Sequence, residues 1–168
     1  KSFSTMSDLA KKLKISLRTL YEIAPSKEEL IVTTVDRVLK KHGKIAMDAM
    51  STHSSPIKKL ESFLTVANQA VGPRFERFTL SLSSLNSSKT MVDYHEQYIT
   101  DLIKNLLDDA RIGNEIKEID TQATALLLGG LGRYFQSKKL LKDLHQTPEE
   151  TSNFLTKIII DGIKMEKS

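Results

Sequence analysis

The 168-residue sequence has no cysteine and no tryptophan, and it is poor in glycine (7), proline (4) and aromatic residues (6%). Without thiols, disulfides, thiolate metal sites, iron–sulfur clusters and cysteine nucleophiles are excluded, and a reducing compartment, the cytoplasm, is the expected location. The scarcity of glycine and proline removes the turn punctuation that an all-β chain needs. Long hydrophobic runs are also missing. The most apolar stretch, Thr124 to Phe135, is broken by Arg133 and falls short of the ~20 residues of a membrane span, so no membrane partner is expected. Lys1 leads straight into a polar segment, which gives no sign of a secretory signal. Glycine-rich phosphate loops, His-Glu-x-x-His and Gly-x-Ser-x-Gly patterns do not occur, and His42, His53, His95 and His145 lack metal-ligand spacing. The expectation is therefore a protein that is not an enzyme and uses neither metal nor cofactor. Asp108-Asp109 reads as a solvated pair.

What is present is enough apolar material, 39%, for one compact unit or two small ones, and a charge that is unevenly spread. Lys1 to Met47 carry 10 basic and 5 acidic residues, a net of +5, whereas the remainder carries 15 basic and 16 acidic, a net of −1. A basic head on a nearly neutral body suggests an anionic partner at one end. Nucleic acid, an anionic surface and simple solubility all satisfy that inference.

Periodicity and capping signals divide the chain into helices, an all-α fold. Thr5, with Asp8 three residues on, starts a first helix whose inner face is Leu9, Ala10 and Leu13. Ser16 caps a second, carrying Leu20 and Ile23, and Pro25 closes it. Ser26 with Glu29 opens a long third helix with the stripe Leu30, Ile31, Val35, Val38, Leu39, His42, Ile45, Ala46 and Ala49. Ser55-Pro56 starts a fourth with Ile57, Leu60, Phe63, Leu64, Ala67 and Val71 inward, ended by Gly72-Pro73. A short amphipathic piece with Phe75, Phe78 and Leu82 precedes a helix from about Thr90 to Ile112, striped by Met91, His95, Tyr98, Leu102, Leu106 and Ala110. Gly113-Asn114 stops it. The last two helices are predicted over about 120–141 and, from the capping signal Thr147-Pro148-Glu149-Glu150, over about 148–165. Both are apolar on more than one face, in Leu126, Leu127, Leu128, Leu131, Tyr134 and Phe135 and in Phe154, Leu155, Ile158, Ile159, Ile160 and Ile163. One stripe suffices for a monomer core, so the second is expected to form a homodimer.

Thr5 to Ile23 has the pattern of a helix-turn-helix: Leu9, Leu13, Ile15, Leu20 and Ile23 are spaced for one shared core, with Ala10 at the close approach. An ordinary helical hairpin satisfies the same spacing. The surface residues favour DNA, because Lys11, Lys12 and Lys14 cluster before the second helix, and small and basic groups stand at its start.

The run Thr5-Met6-Ser7-Asp8-Leu9-Ala10, with Ile15-Ser16, Leu20-Tyr21 and Ser26-Lys27-Glu28-Glu29-Leu30, resembles the TetR (tetracycline-repressor-like) family of bacterial transcriptional regulators. The sequence-level match spans about Phe3 to Val38. The resemblance implies a helix-turn-helix DNA-binding domain over 1–46 and an effector-binding and dimerisation domain over 47–168. It implies a ligand-responsive repressor that binds double-stranded DNA with a palindromic operator as a dimer. Leu17, Arg18 and Thr19 would enter the major groove, and Thr5, Ser16, Tyr21 and Lys27 would hold phosphates. Arg18 suits direct readout, since its fork can pair with guanine; a solvated or phosphate-bound role is the alternative. The family usually has glycine in the turn where this chain has Lys14, and aromatic residues where it has Ile23 and Ala24, so packing there should be thinner. The family's domain also begins with a further helix ahead of the position of Phe3, and the head is expected to be incomplete at its N-terminus.

The body should bind an unknown small-molecule effector, with Phe63, Phe75, Phe78, His95, Tyr98 and Tyr134 as lining candidates. Each of these also fits as core, His95 included. Arg74 and Arg77 either flank a pocket mouth or form a solvated face. The competing reading of the whole chain is a helical small-molecule-binding or dimeric interaction module without DNA binding.

Overall fold

The computed structural model describes residues 5–69, 86–134 and 145–166, and these form seven α-helices. They are α1 (Met6–Leu13), α2 (Leu17–Ile23), α3 (Lys27–Met50), α4 (Pro56–Gln69), α5 (Asn86–Ile112), α6 (Thr121–Tyr134) and α7 (Pro148–Ile163). The architecture is all-α, as the composition requires. The expected short helix with Phe75, Phe78, Arg74 and Arg77, and the stop at Gly72-Pro73, lie outside the described residues.

Helix starts are where local chemistry is most visible. Thr5, Ser16, Ser26 and Thr147 are all N-caps, each accepting a hydrogen bond from the backbone N–H three residues on. At α7 the box is reciprocal, because Glu150 Oε2 also accepts from the Thr147 N–H at 2.9 Å. Two ends, at Lys14 and Asn114, close through left-handed residues. In each the following N–H reaches back five residues, Ile15 to the Ala10 carbonyl and Glu115 to the Ala110 carbonyl.

Two hydrophobic clusters result. The small one joins Met6, Ala10 and Leu20, with Leu9, Ile15 and Leu30 against it. Leu13 and Ile23, expected in this core, are instead exposed. Each is the last residue of its helix and lies three positions beyond the residue that packs, Ala10 or Leu20, so both project past the crossing. The large cluster draws Ala46 and Met50 from α3, Leu60, Phe63 and Leu64 from α4, Ile103, Leu107 and Ala110 from α5, Leu128 and Leu131 from α6, and Ile160 from α7. Helix α4 packs on α3, α5 and α7, and α6 lies along α5. A Cβ at Gly129 would stand 3.0 Å from Thr100 Oγ1, so glycine is what lets α6 approach α5 so closely.

Several expectations need correction. On α3, Ile45 is exposed and Met50 takes the buried position at the end of the stripe, one turn beyond buried Ala46. On α5, Tyr98 is 50% exposed; Leu106 and Ala110 of the expected stripe are buried, and Thr100, Ile103 and Leu107 join them. Helix α5 is already helical at Asn86, ahead of the expected Thr90. Helix α7 ends at Ile163 because Lys164 turns extended and pairs in an isolated bridge with Ile116. Asp108 is half-buried rather than solvated, accepting from Lys104 Nζ at 2.6 Å and Thr121 Oγ1 at 2.7 Å.

Polar ties between distant segments complete the body. Glu115 Oε2 accepts from Ser55 Oγ at 2.8 Å and from the Ile57 N–H at 2.9 Å, so the start of α4 is capped largely by a residue from beyond α5. Asn68 Nδ2, buried on α4, donates to Asn153 Oδ1 and Thr156 Oγ1 on α7. Outward, Leu126 and Leu127 on α6 and Phe154 and Ile158 on α7 remain about half-exposed, so both helices are apolar on a face that the monomer core does not use.

Thr147→Ala removes the hydroxyl that accepts from the Glu150 N–H, the side-chain half of the capping box, on a helix that lies against the main core. Loss of the cap is expected to cost about 1 kcal/mol, seen as a lower urea midpoint with an unchanged m-value.

Candidate DNA-reading helix and ligand cavity

Helix α2 is anchored through a single buried residue, Leu20, at 1% exposure, with Ala24 buried just beyond its end. Everything else on it faces outward. The turn that presents it depends on Lys14, whose φ of 55° and ψ of 37° place it in the left-handed region, with its N–H bonded to the carbonyls of Ala10 and Lys11. A lysine there costs roughly 1 kcal/mol relative to glycine. The chain accepts that strain and keeps the turn. Ile23 is half-exposed, whereas Ala24 is buried.

The residues expected to meet DNA are all accessible. Ser16 Oγ accepts from the Thr19 N–H at 2.9 Å and shares a 2.8 Å hydrogen bond with Thr19 Oγ1, which orients both hydroxyls at the start of α2. Arg18 has 90% of its side chain exposed and is met only by Glu22, Nε to Oε1 at 3.2 Å. An exposed pair of this kind contributes little and gives way readily to another acceptor. Leu17 and Tyr21 are exposed on the same short helix. Thr5 caps α1, where its hydroxyl donates to Asp8 Oδ2 at 2.8 Å, and Lys27 is the first residue of α3. Thr5, Ser16 and Lys27 therefore mark the N-terminal ends of three successive helices. Lys11, Lys12 and Lys14 are exposed beside them.

The body holds a cavity of about 330 Å³ between α3, α4 and α5. Leu39, Ala46 and Met47 of α3, Phe63 and Ala67 of α4, and Ile99 of α5 make its apolar wall. Lys40, His42 and Lys44 come to it from α3, and Tyr94, His95 and Tyr98 from α5. Of the residues expected to line a pocket, Phe63, His95 and Tyr98 do meet here. Phe75 and Phe78 are outside the described residues, as is the side chain of Tyr134, the last residue of α6. The contribution of α3 was missed, since Leu39, His42 and Ala46 fit a core stripe. Gly43 also lines the cavity, and a Cβ there would meet nothing within 4 Å. An exposed-looking glycine in mid-helix, which helix propensity disfavours, was the available signal.

His95 is both a wall residue and a tie. Its side chain is 17% exposed, and Nε2 donates to Asp36 Oδ1 at 3.0 Å, while Lys40 Nζ donates to Asp36 Oδ2 at 2.7 Å. The Tyr94 ring stands edge-on to the imidazole, with centroids 5.9 Å apart. The Lys40 hydrogen bond, aided by His95 and opposed by partial burial, holds the Asp36 carboxyl below the usual carboxylate range. Among the described residues no group of three His, Asp or Glu side chains is placed to hold a metal ion, and no helix is long and apolar enough to cross a membrane.

A carboxyl whose folded pKa is depressed stabilises the fold above its unfolded pKa, and the contribution is lost as the pH falls through the folded value. Asp36→Asn is therefore expected to destabilise the protein by about 0.5–1 kcal/mol at neutral pH, discounted for partial exposure. In urea titrations at a series of pH values, the difference from the parent should shrink to nothing below the carboxylate range.

No protein-family model matches the sequence, and no curated protein matches it either. Solved structures do match in fold. A TetR transcription regulator from Haloarcula marismortui superposes with a TM-score of 0.78 at 14% identity, over 96% of this chain and 87% of that one. A TetR/AcrR-family regulator from Thermobifida fusca gives 0.75 at 13% identity, over 96% and 88%. The regulator FadR from Bacillus subtilis, solved in complex with stearoyl-CoA, gives 0.71 at 14% identity, over 95% and 89%. At such identities the likeness is one of fold, and the fold of this chain is that of the TetR-family transcriptional regulators.

Proposed function

We propose that this protein is a DNA-binding transcriptional regulator, a cytoplasmic repressor whose grip on a palindromic operator responds to a small molecule. The observation that carries the reading is mechanical: the exposed helix α2 is mounted through Leu20 and Leu30 on α3, and the same α3 forms one wall of the cavity. Residues 1–46 then carry the DNA-binding helices and 47–168 sense and dimerise, with the last part of 1–46, from Leu39 to Ala46 on α3, also lining the cavity. In this reading Leu17, Arg18 and Thr19 meet base edges in the major groove, and Thr5, Ser16, Tyr21 and Lys27 hold phosphates. Two copies associate through the apolar faces of α6 and α7, around Leu126, Leu127, Phe154 and Ile158. The two α2 helices would then have to match half-sites about 34 Å apart, a spacing that small movements of α3 would disturb. The complex of the Bacillus subtilis regulator with stearoyl-CoA supports a ligand-binding role for the body.

Selection from a randomised duplex library, followed by fluorescence anisotropy across salt concentrations, tests this. An inverted repeat with half-sites one helical turn apart is expected. Arg18→Ala should cost about 1–3 kcal/mol and relax the preference at one base position, whereas Lys27→Ala should weaken all sequences alike and lower the salt slope by about one. Recovery of unselective sequences only would refute the regulator reading in favour of a ligand-binding module. In sedimentation, the parent should run as a dimer and the pair Phe154→Glu, Ile158→Glu as a monomer with unchanged helicity.

A further inference from the structure

Four of the ten basic residues among the first 47, Arg37, Lys40, Lys41 and Lys44, stand on α3 beyond the helix-turn-helix and outside the set proposed to meet DNA. Two of them, Lys40 and Lys44, reach the cavity together with His42, and α5 adds His95. The wall contains lysine, histidine and tyrosine but no carboxylate. A cavity whose ionisable groups are all donors, around an apolar interior, complements a ligand with one acidic end and a hydrocarbon body.

Asp36 shows what such a ligand would meet. It is not part of the wall, yet its two carboxylate oxygens take one hydrogen bond from Lys40 and one from His95, both wall residues. The protein's own carboxylate thus marks how a carboxylate sits on this pair of donors. Lys44 is engaged only in an exposed pair with Asp48, three-quarters in solvent, which gives way readily to another acceptor.

Resting on the reading of the cavity as the effector site, we propose that its ligand is a medium-chain alkanoate, whose chain lies against Phe63, Ala67 and Ala46 and whose carboxylate competes with Asp36 for His95 and Lys40. The volume of about 330 Å³ has room for about eleven non-hydrogen atoms at roughly 30 Å³ each, the liquid share of one small group. That suits octanoate and is too small to enclose a nucleotide-bearing thioester. Competition for His95 and Lys40 loosens the polar tie from α5 to α3, which is how occupancy would reach α2.

Calorimetric titration of the intact protein with octanoate, 1-octanol, octylamine and stearoyl-CoA tests the proposal. Octanoate is expected to bind at least tenfold more tightly than octanol, with octylamine and stearoyl-CoA silent. Lys40→Met should erase the preference for octanoate over octanol. Asp36→Asn, which removes the competing carboxylate, should tighten octanoate binding severalfold. Gly43→Phe should block binding, since the new side chain enters open space, with circular dichroism confirming an intact fold. Equal binding of octanol and octanoate, blocked by Gly43→Phe, would overturn the alkanoate while leaving the cavity as the effector site. Binding of stearoyl-CoA without octanoate would likewise overturn it, and binding of none of the four would overturn the effector site as well.

Discussion

One helix belongs to two hydrophobic clusters at once, and the rest of the structure is arranged around it. Leu30, near the start of α3, packs with Met6, Ala10 and Leu20, while Ala46 and Met50, near its end, are buried in the main core. Its 24 residues span about 36 Å without a break. Helices of eight and seven residues, such as α1 and α2, are well below the ~12–15 residues at which an isolated helix becomes even marginal. They exist because caps satisfy their ends and Leu30 gives them something to pack on. The head is therefore an outgrowth of α3, and a movement of α3 is a movement of α2.

The cavity lies beside the same helix, where α3 and α5 are held by polar as well as apolar contacts. Asp36 accepts from His95 across the two helices and from Lys40 along α3. A tie of this kind is replaceable, because a competing carboxylate satisfies the same donors. The ties lower in the body are of another sort: Glu115 caps α4 from beyond α5, and Asn68 joins α4 to α7 from a buried position. Breaking those leaves backbone or amide groups without partners away from water, which is costly. Where the protein is easily altered and where it is not thus follows from which polar groups have substitutes.

The basic head of the sequence also divides in the folded chain. Lys11, Lys12, Lys14 and Arg18 lie around the turn and α2, but Lys40 and Lys44 face the cavity. One charge excess therefore divides between two surfaces. Sequence order could not separate them, since both lie ahead of residue 47 and only the rotation of α3 past α5 assigns Lys40 and Lys44 to the wall.

The sequence by itself determined the helical class and the capped helix starts, though not the start of α5 at Asn86 or the end of α7 at Ile163. Caps at Thr5, Ser16, Ser26 and Thr147 act over three residues, and the left-handed stops at Lys14 and Asn114 over five, so each is settled within one turn of chain. It also determined that α6 and α7 carry more apolar surface than one core uses. Only the tertiary structure decided which apolar residues stay outside, as with Leu13, Ile23, Ile45 and half-exposed Tyr98. It alone paired His95 with Asp36 and Glu115 with the start of α4, and it alone put α3 into the cavity wall. The reason is range: caps and stripes are properties of one helix, whereas crossings and cross-helix hydrogen bonds depend on where two helices meet, and sequence spacing does not encode that position.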